Sequence, residues 1–265
     1  MTPPPILPDD LLTKTTWTDT GKIMGGFSDT REVVDPNRNI GYRKPGRPYT
    51  DGVEAAREVI AAEIGRWLQV DLPTFRLIPE HPEVACGVSI AVAETIIPYE
   101  MVMHASFTPP AVRSAGQNAL PRLGRAIVLD ALLGNCDRMN GGNIVFGRPD
   151  NCWYSLDYSM SYNVFSPAGV GEVEKPFGTE RRLRQRYFGE IVDAVCLNST
   201  DFRDTVALAE SIKDEELEHL FALLPTSHVA RETAGAMLAF VKGRRSSIRA
   251  IVRDWGHTVG ITGIL

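Results

Sequence analysis

The 265-residue chain has only four cysteines, Cys86, Cys136, Cys152 and Cys196, and no two of them form a CxxC pair. That spacing excludes the usual zinc pattern and is too sparse for a disulfide framework, so reduced and mostly buried thiols are expected. The five histidines, His81, His104, His219, His228 and His257, fall at no metal-ligand spacing and read as surface or capped side chains. No run approaches the ~18 apolar residues that a membrane span requires. Residues 1–8 are rich in proline and are followed by Asp9 and Asp10, so the basic start and apolar stretch of a secretion signal are missing. Basic charge is not in excess either: the formal net charge of −5 gives no electrostatic reason to expect nucleic-acid binding. The local cluster Arg181, Arg182, Arg184 and Arg186 reads as a solvated surface or a dock for an acidic substrate. These absences point to a soluble cytoplasmic protein without a nucleic-acid or membrane partner.

What is present suits an ordinary globular core, with 43% hydrophobic and 23% charged residues. The length fits one large domain or two lobes sharing a cleft. After a flexible arm over residues 1–10, residues 21–34 read as two strands around the turn Gly25-Gly26-Phe27-Ser28-Asp29, and residues 39–44 as a third. Val53, Ala56, Ile60, Ile64 and Trp67 recur at helical spacing within residues 51–69. Residues 75–78 and 87–97 read as further strands. The proline-, serine- and glycine-rich stretch 98–116 reads as loops and as the boundary between lobes. A strongly apolar helix over 120–133 is stopped by Gly134 and Asn135. Two short strands follow, 143–146 and 153–157, then an aperiodic segment over 159–179. Helices are expected over 182–197, 201–210, 214–224 and 228–255. Strands with one helix, then a linker, then mostly helices describe a bilobal α+β enzyme, divided here into residues 11–100 and 101–265.

The chemistry concentrates around Asp137, Asn143 and Asp157. A helix ends, an aspartate stands on the loop, an asparagine opens a strand, and a second aspartate closes the next strand. Phosphoryl transfer needs positioning and charge neutralisation more than covalent help. Asp137 on a rigid loop can orient an attacking hydroxyl and accept its proton. The Asn143 amide oxygen and the Asp157 carboxylate supply the hard oxygen ligands that suit magnesium. Asp and Asn are also the commonest turn residues, and the flanking apolar strands are what favour a shared cleft.

The run Gly134-Asn135-Cys136-Asp137-Arg138 through Asn143-Ile144-Val145, then Leu156-Asp157, resembles the catalytic and metal-binding segments of HipA-like kinases and, more distantly, phosphatidylinositol kinases. The resemblance implies a protein-kinase-like fold, with a small β-rich N-terminal lobe and a larger, mainly helical C-terminal lobe. It implies ATP and Mg2+ as cofactors and a hydroxyl acceptor, a protein Ser/Thr by family likeness. Two departures stand out: Met139 replaces the family's histidine, and one extra residue places Asn143 six after Asp137, leaving Asn140 as a rival ligand. The resemblance extends over most of the chain. Ile40-Gly41-Tyr42-Arg43-Lys44-Pro45 resembles the strand that carries the family's ATP-binding lysine, which makes Lys44 the candidate and Arg43 the cation on the opposite face. Matching back from Leu72-Pro73 selects Glu58 as the partner of that lysine, whereas helical-face counting favours Glu63. Gly25, Gly26 and Ser28 resemble the family's phosphate loop, with a plain hairpin turn as the alternative. Glu94 falls near the expected hinge. Ser159, Ser161 and Ser166 are unphosphorylated loop serines by default. A small-molecule phosphotransferase, a catalytically weak nucleotide-binding scaffold and an AMP-transferring enzyme remain alternatives on the same residues, and the likeness leaves room for a regulatory protein partner.

Overall fold

The computed structural model describes residues 7–23, 30–45, 53–79, 86–90, 96–104, 106–135, 138, 141–147, 150–159, 161–162, 186–197, 199–258 and 265. Five strands form an antiparallel sheet: β1 (Thr18–Ile23), β2 (Arg31–Val34), β3 (Ile40–Pro45), β4 (Phe75–Leu77) and β5 (Cys86–Ile90), in the order β1-β2-β3-β5-β4. β2 turns into β3 because Asp35 grips Asn39, its carboxylate accepting the Asn39 backbone N–H at 2.7 Å and side-chain amide at 2.8 Å. The resulting register sets Lys44 in the sheet's interior, opposite Gly87 of β5.

Helix α1 (Val53–Trp67) packs against β4 and β5 on one side and against the C-terminal half of the chain on the other. Val59, Ile60 and Ile64 are fully buried, each worth ~1.5–3 kcal/mol of transfer free energy. Burial on both sides also encloses Glu54, Glu58 and Glu63. The one-sided stripe expected from the spacing of apolar residues is therefore only half of the buried surface.

The apolar run expected as a single strand over 87–97 is two strands in different sheets. β5 belongs to the large sheet, whereas β6 (Ile96–Pro98) is the edge of a smaller one with β7 (Ile144–Gly147) and β8 (Cys152–Ser155). Apolar content records burial and cannot record a change of partner.

Residues 98–116, expected as loops, instead form helices α2 (Tyr99–His104) and α3 (Pro110–Ala119). Pro110 sits in the first turn of α3, where the missing N–H costs nothing. Gly116 lies inside α3 because the Trp153 indole packs on it and donates to its carbonyl at 2.8 Å. A Cβ there would stand 2.8 Å from Val102 and 3.2 Å from Trp153. The residues that looked like loop punctuation serve helix initiation and close packing.

A 3-10 turn (Leu120–Arg122) leads into α4 (Leu123–Leu133), which is buried along all its length except at Arg125. It is surrounded by α5 (Arg186–Leu197), α6 (Ser199–Ser211) and α8 (Arg231–Thr258), with α7 (Asp214–Ala222) packed on α8. α4 ends because Gly134 adopts φ +63°, letting its N–H return to the Asp130 carbonyl. Buried Arg244 on α8 braces that last turn, its Nε donating to the Ala131 carbonyl at 2.5 Å. Of the two cysteines whose side chains are described, Cys152 is half-buried and Cys196 is exposed, so the expectation of mostly buried thiols does not hold for Cys196. No described helix is long and apolar enough to cross a membrane.

Candidate active site

Asp130 is the one acidic residue in the apolar sequence of α4 and is fully buried. Arg138 answers it with a two-pronged contact, Nε to Oδ2 and Nη2 to Oδ1, both at 2.9 Å, and the Asn135 amide adds a third bond at 3.0 Å. A forked guanidinium matches a carboxylate in this geometry, which is what makes so deep a pair tenable. The remaining prong of Arg138 donates to the carbonyls of Asn143 at 2.8 Å and Leu156 at 2.6 Å, and its plane lies 4.7 Å from the centre of the Tyr158 ring. One buried cation thereby ties together the end of α4, the residue preceding β7 and the segment after β8.

Asn143 closes a short 3-10 turn (Gly141–Asn143) and is buried. Its carbonyl also accepts the Leu156 N–H at 2.8 Å, so Asn143 and Asp157 stand on neighbouring chain segments at the root of one hairpin. β8 ends at Ser155, so Asp157 lies just beyond the strand rather than closing it as expected. Its φ of +56° explains the break. That conformation costs roughly 1–3 kcal/mol in a residue with a Cβ. Asp is among the few side chains suited to it, because its short carboxylate can bond locally. Here Oδ1 accepts the Ser159 hydroxyl at 2.5 Å and the Ser159 N–H at 3.3 Å.

Three charged groups converge at this point. Lys44 Nζ lies 2.7 Å from Glu58 Oε1 and 3.6 Å from Asp157 Oδ1. Glu58 uses its other oxygen to accept the Tyr158 N–H at 2.9 Å. The neighbouring Arg57 donates to the Ser159 carbonyl at 2.9 Å, so α1 grips the segment after Asp157 twice. Burial opposes the charge on Lys44, but the carboxylates of Glu58 and Asp157 outweigh it and hold the ammonium above the ordinary lysine range. Burial also opposes the Asp157 charge; Lys44, the two Ser159 bonds and Arg138 prevail and keep its carboxyl below the usual range. Glu58 goes the other way: burial pushes its carboxyl up despite Lys44, and the Asp157 charge adds to the rise. Two carboxylates thus share the one ammonium of Lys44.

Glu63 faces elsewhere, bonded to Arg66 at 2.5 Å and Arg76 at 2.8 Å, and takes no part in this cluster. Asp137, Met139, Asn140, Gly25, Gly26, Ser28 and Glu94 lie outside the described residues, as do Ser166 and the cluster Arg181, Arg182 and Arg184. Among the described residues, no three His, Cys, Asp or Glu side chains gather as a self-sufficient metal cage. Asn143 and Asp157, on adjoining segments, are residue types with the hard oxygen atoms that a magnesium ion takes beside phosphate oxygens and waters.

No family model matches the chain, and no curated protein matches it in sequence. In three dimensions it is similar to a Helicobacter pylori proinflammatory kinase, CtkA, with a TM-score of 0.57 and 12% identity over 94% of this chain and 98% of that one. The FAT and kinase domain of CtTel1 superposes with a TM-score of 0.47 and 12% identity, over 89% of this chain and 22% of that one. The chain has a protein-kinase-like fold. Within it, β3 and α1 of the β-rich lobe supply Lys44 and Glu58, and the segment after β8 in the other lobe supplies Asp157.

Asp130, Arg57 and Tyr158 carry no recognisable motif role in the sequence, and Arg138 stands there only as part of the Asp137 motif. The signal for the Asp130–Arg138 pair was a lone acid in an otherwise apolar helix, since such a charge needs a partner close by. Arg57 and Tyr158 carried no such signal, because their bonds run through backbone groups of distant segments.

Proposed function

We propose that this protein is an ATP- and Mg2+-dependent kinase of HipA-like type that transfers the γ-phosphoryl group to a hydroxyl acceptor, a serine or threonine of a protein. The observation that carries the reading is the Lys44 ammonium lying between Glu58 and Asp157 at the meeting of the two lobes. In this reading residues 11–100 form the nucleotide-binding lobe and residues 101–265 the catalytic and helical lobe. The kinase-like fold supports this arrangement.

The bound nucleotide supplies the phosphoryl group, and its magnesium ion neutralises charge on the phosphates. The protein's own residues do the positioning. Lys44, held charged by two carboxylates, offers a fixed cation to the α- and β-phosphates. Glu58 fixes the direction of that ammonium. Asp157 and Asn143 would hold the metal through oxygen atoms, and Gly25, Gly26 and Ser28 would offer backbone N–H groups to the phosphates. Asp137 accepts the proton as the acceptor hydroxyl forms its new bond to phosphorus and the bond to the leaving diphosphate breaks. Arg138, anchored on Asp130, steadies the peptide next to Asp137.

The test is incubation with γ-labelled ATP and magnesium in a cell lysate, beside Asp157→Ala and Asp137→Ala proteins. The reading expects label on serine or threonine of protein with the wild type, and none with either variant. Asp137→Ala should still bind ATP. Equal labelling by wild type and Asp157→Ala contradicts it. Label confined to metabolites indicates a small-molecule phosphotransferase, and ATP binding without consumption indicates a scaffold.

A further inference from the structure

Away from the Lys44 cluster, four arginines line one cavity of about 530 Å³ between the end of α1, β4 and the start of α4. Arg66 and Arg76 belong to the β-rich lobe, and Arg122 and Arg125 to the helical one. Glu63 holds the first two, and Asp71 holds Arg122 at 3.0 Å. Arg125 reaches from the Gln69 carbonyl at 3.0 Å to Asp201 at 3.1 Å. Three carboxylates, Glu63, Asp71 and Asp201, thus meet four cations, and only the first two line the cavity, in a chain whose net charge is −5.

These bonds engage only some of the five N–H donors on each of Arg76, Arg122 and Arg125. Guanidinium groups gathered at one opening repel one another, and an entering anion relieves that repulsion. Their planar forks match phosphate oxygens two at a time. The volume exceeds what a bare phosphate fills and falls in the ~300–1,000 Å³ range of small-ligand sites. The polar wall suits a polar carrier rather than an apolar one.

We propose that this cavity binds a phosphate group, with room for a small polar molecule that bears it. The site is distinct from the Lys44 cluster and independent of any transferase activity, so binding alone tests it.

The experiment is calorimetric titration of the full chain at pH 8 with inorganic phosphate and with glycerol 2-phosphate, using glycerol as the uncharged control. At pH 8, above the second pKa of about 6 for a phosphate monoester and of about 7 for the free ion, both probes are largely dianions. Saturable binding of both phosphates and none of glycerol is expected. Tighter binding of the monoester identifies an organic phosphate as the ligand, and equal binding identifies the free ion. Replacing Arg76→Gln together with Arg122→Gln should weaken binding at least about tenfold, through lost charge-assisted hydrogen bonds. Asp71→Asn should tighten it about threefold by removing a competing carboxylate. Lys44→Ala should leave it unchanged. The opposite signs separate a binding site from a loosened fold, which would weaken both variants. If the double variant melts below the titration temperature, Arg122→Gln alone, with a side chain 43% exposed, carries the same test with about a threefold loss. The proposal is overturned by absence of saturable binding, by binding indifferent to the arginine substitutions, or by binding lost in Lys44→Ala.

Discussion

Glu58 divides its carboxylate between two partners: one oxygen takes the Lys44 ammonium at 2.7 Å, the other the backbone N–H of Tyr158 at 2.9 Å. A single side chain, 3% exposed, thus links β3 of the five-stranded sheet to the peptide bond that follows Asp157. Removing one partner from a buried ion pair costs about 3–5 kcal/mol, because the other charge is left without compensation. Lys44 keeps Asp157 nearby, so Glu58→Ala should fall at the low end, about 3 kcal/mol, in chemical denaturation. Glu58→Gln retains an acceptor for the Tyr158 N–H and should lose about half as much. Equal losses from the two variants would contradict the double role.

Arg138 and Asp130 form the deeper pair, and the carbonyls of Asn143 and Leu156 depend on the same guanidinium. Arg138→Met should destabilise the protein by about 4 kcal/mol, and Arg138→Lys by about 2 kcal/mol, since an ammonium cannot reproduce the fork. Adding Asp130→Asn to Arg138→Met should recover part of the loss, because the buried charge is then gone. Urea unfolding of the single and double variants checks this. A strictly additive double variant would show that the two side chains are not coupled.

Asp157 makes stability depend on pH in a definite direction. Its carboxyl titrates below the ordinary value of 3.8, so the folded state favours its charged form. The contribution is present above that ordinary value and is lost as pH falls through the lower folded one. The stability gap between wild type and Asp157→Asn should therefore be constant near pH 6 and narrow toward pH 3. Denaturation at stepped pH measures it, and a gap that widens on acidification would reverse the assignment.

Gly134 ends α4 at φ +63°, a conformation that costs a residue with a Cβ roughly 1–2 kcal/mol. Gly134→Ala should be less stable by that amount, and Gly134→Asn should lose less, since Asn tolerates the left-handed region. Thermal melting of the two variants side by side checks the order.

The stop of α4 at Gly134 was legible in the sequence because a helix end has a local chemistry. α2 and α3 were not, since Pro110 and Gly116 look like loop residues until the helix start and the Trp153 contact are known. Face counting on α1 pointed to Glu63 because it assumes one buried side. The helix is enclosed on two, and Glu58 is as buried as the apolar stripe it opposes. The run over 87–97 hid a change of sheet, because pairing partners leave no trace in hydrophobicity. The Arg138 clamp joins a helix end to two strand termini, and no periodicity relates such positions.

Lys44, Glu58 and Asp157 are the groups proposed to hold a magnesium-bound nucleotide. Titration of the protein with ATP, with and without magnesium, beside Asp157→Asn tests this most directly. Wild type should bind ATP at least about tenfold more tightly when magnesium is present, and Asp157→Asn should lose that enhancement, because its amide cannot offer the metal a charge. A magnesium enhancement of the same size in both proteins would contradict the account.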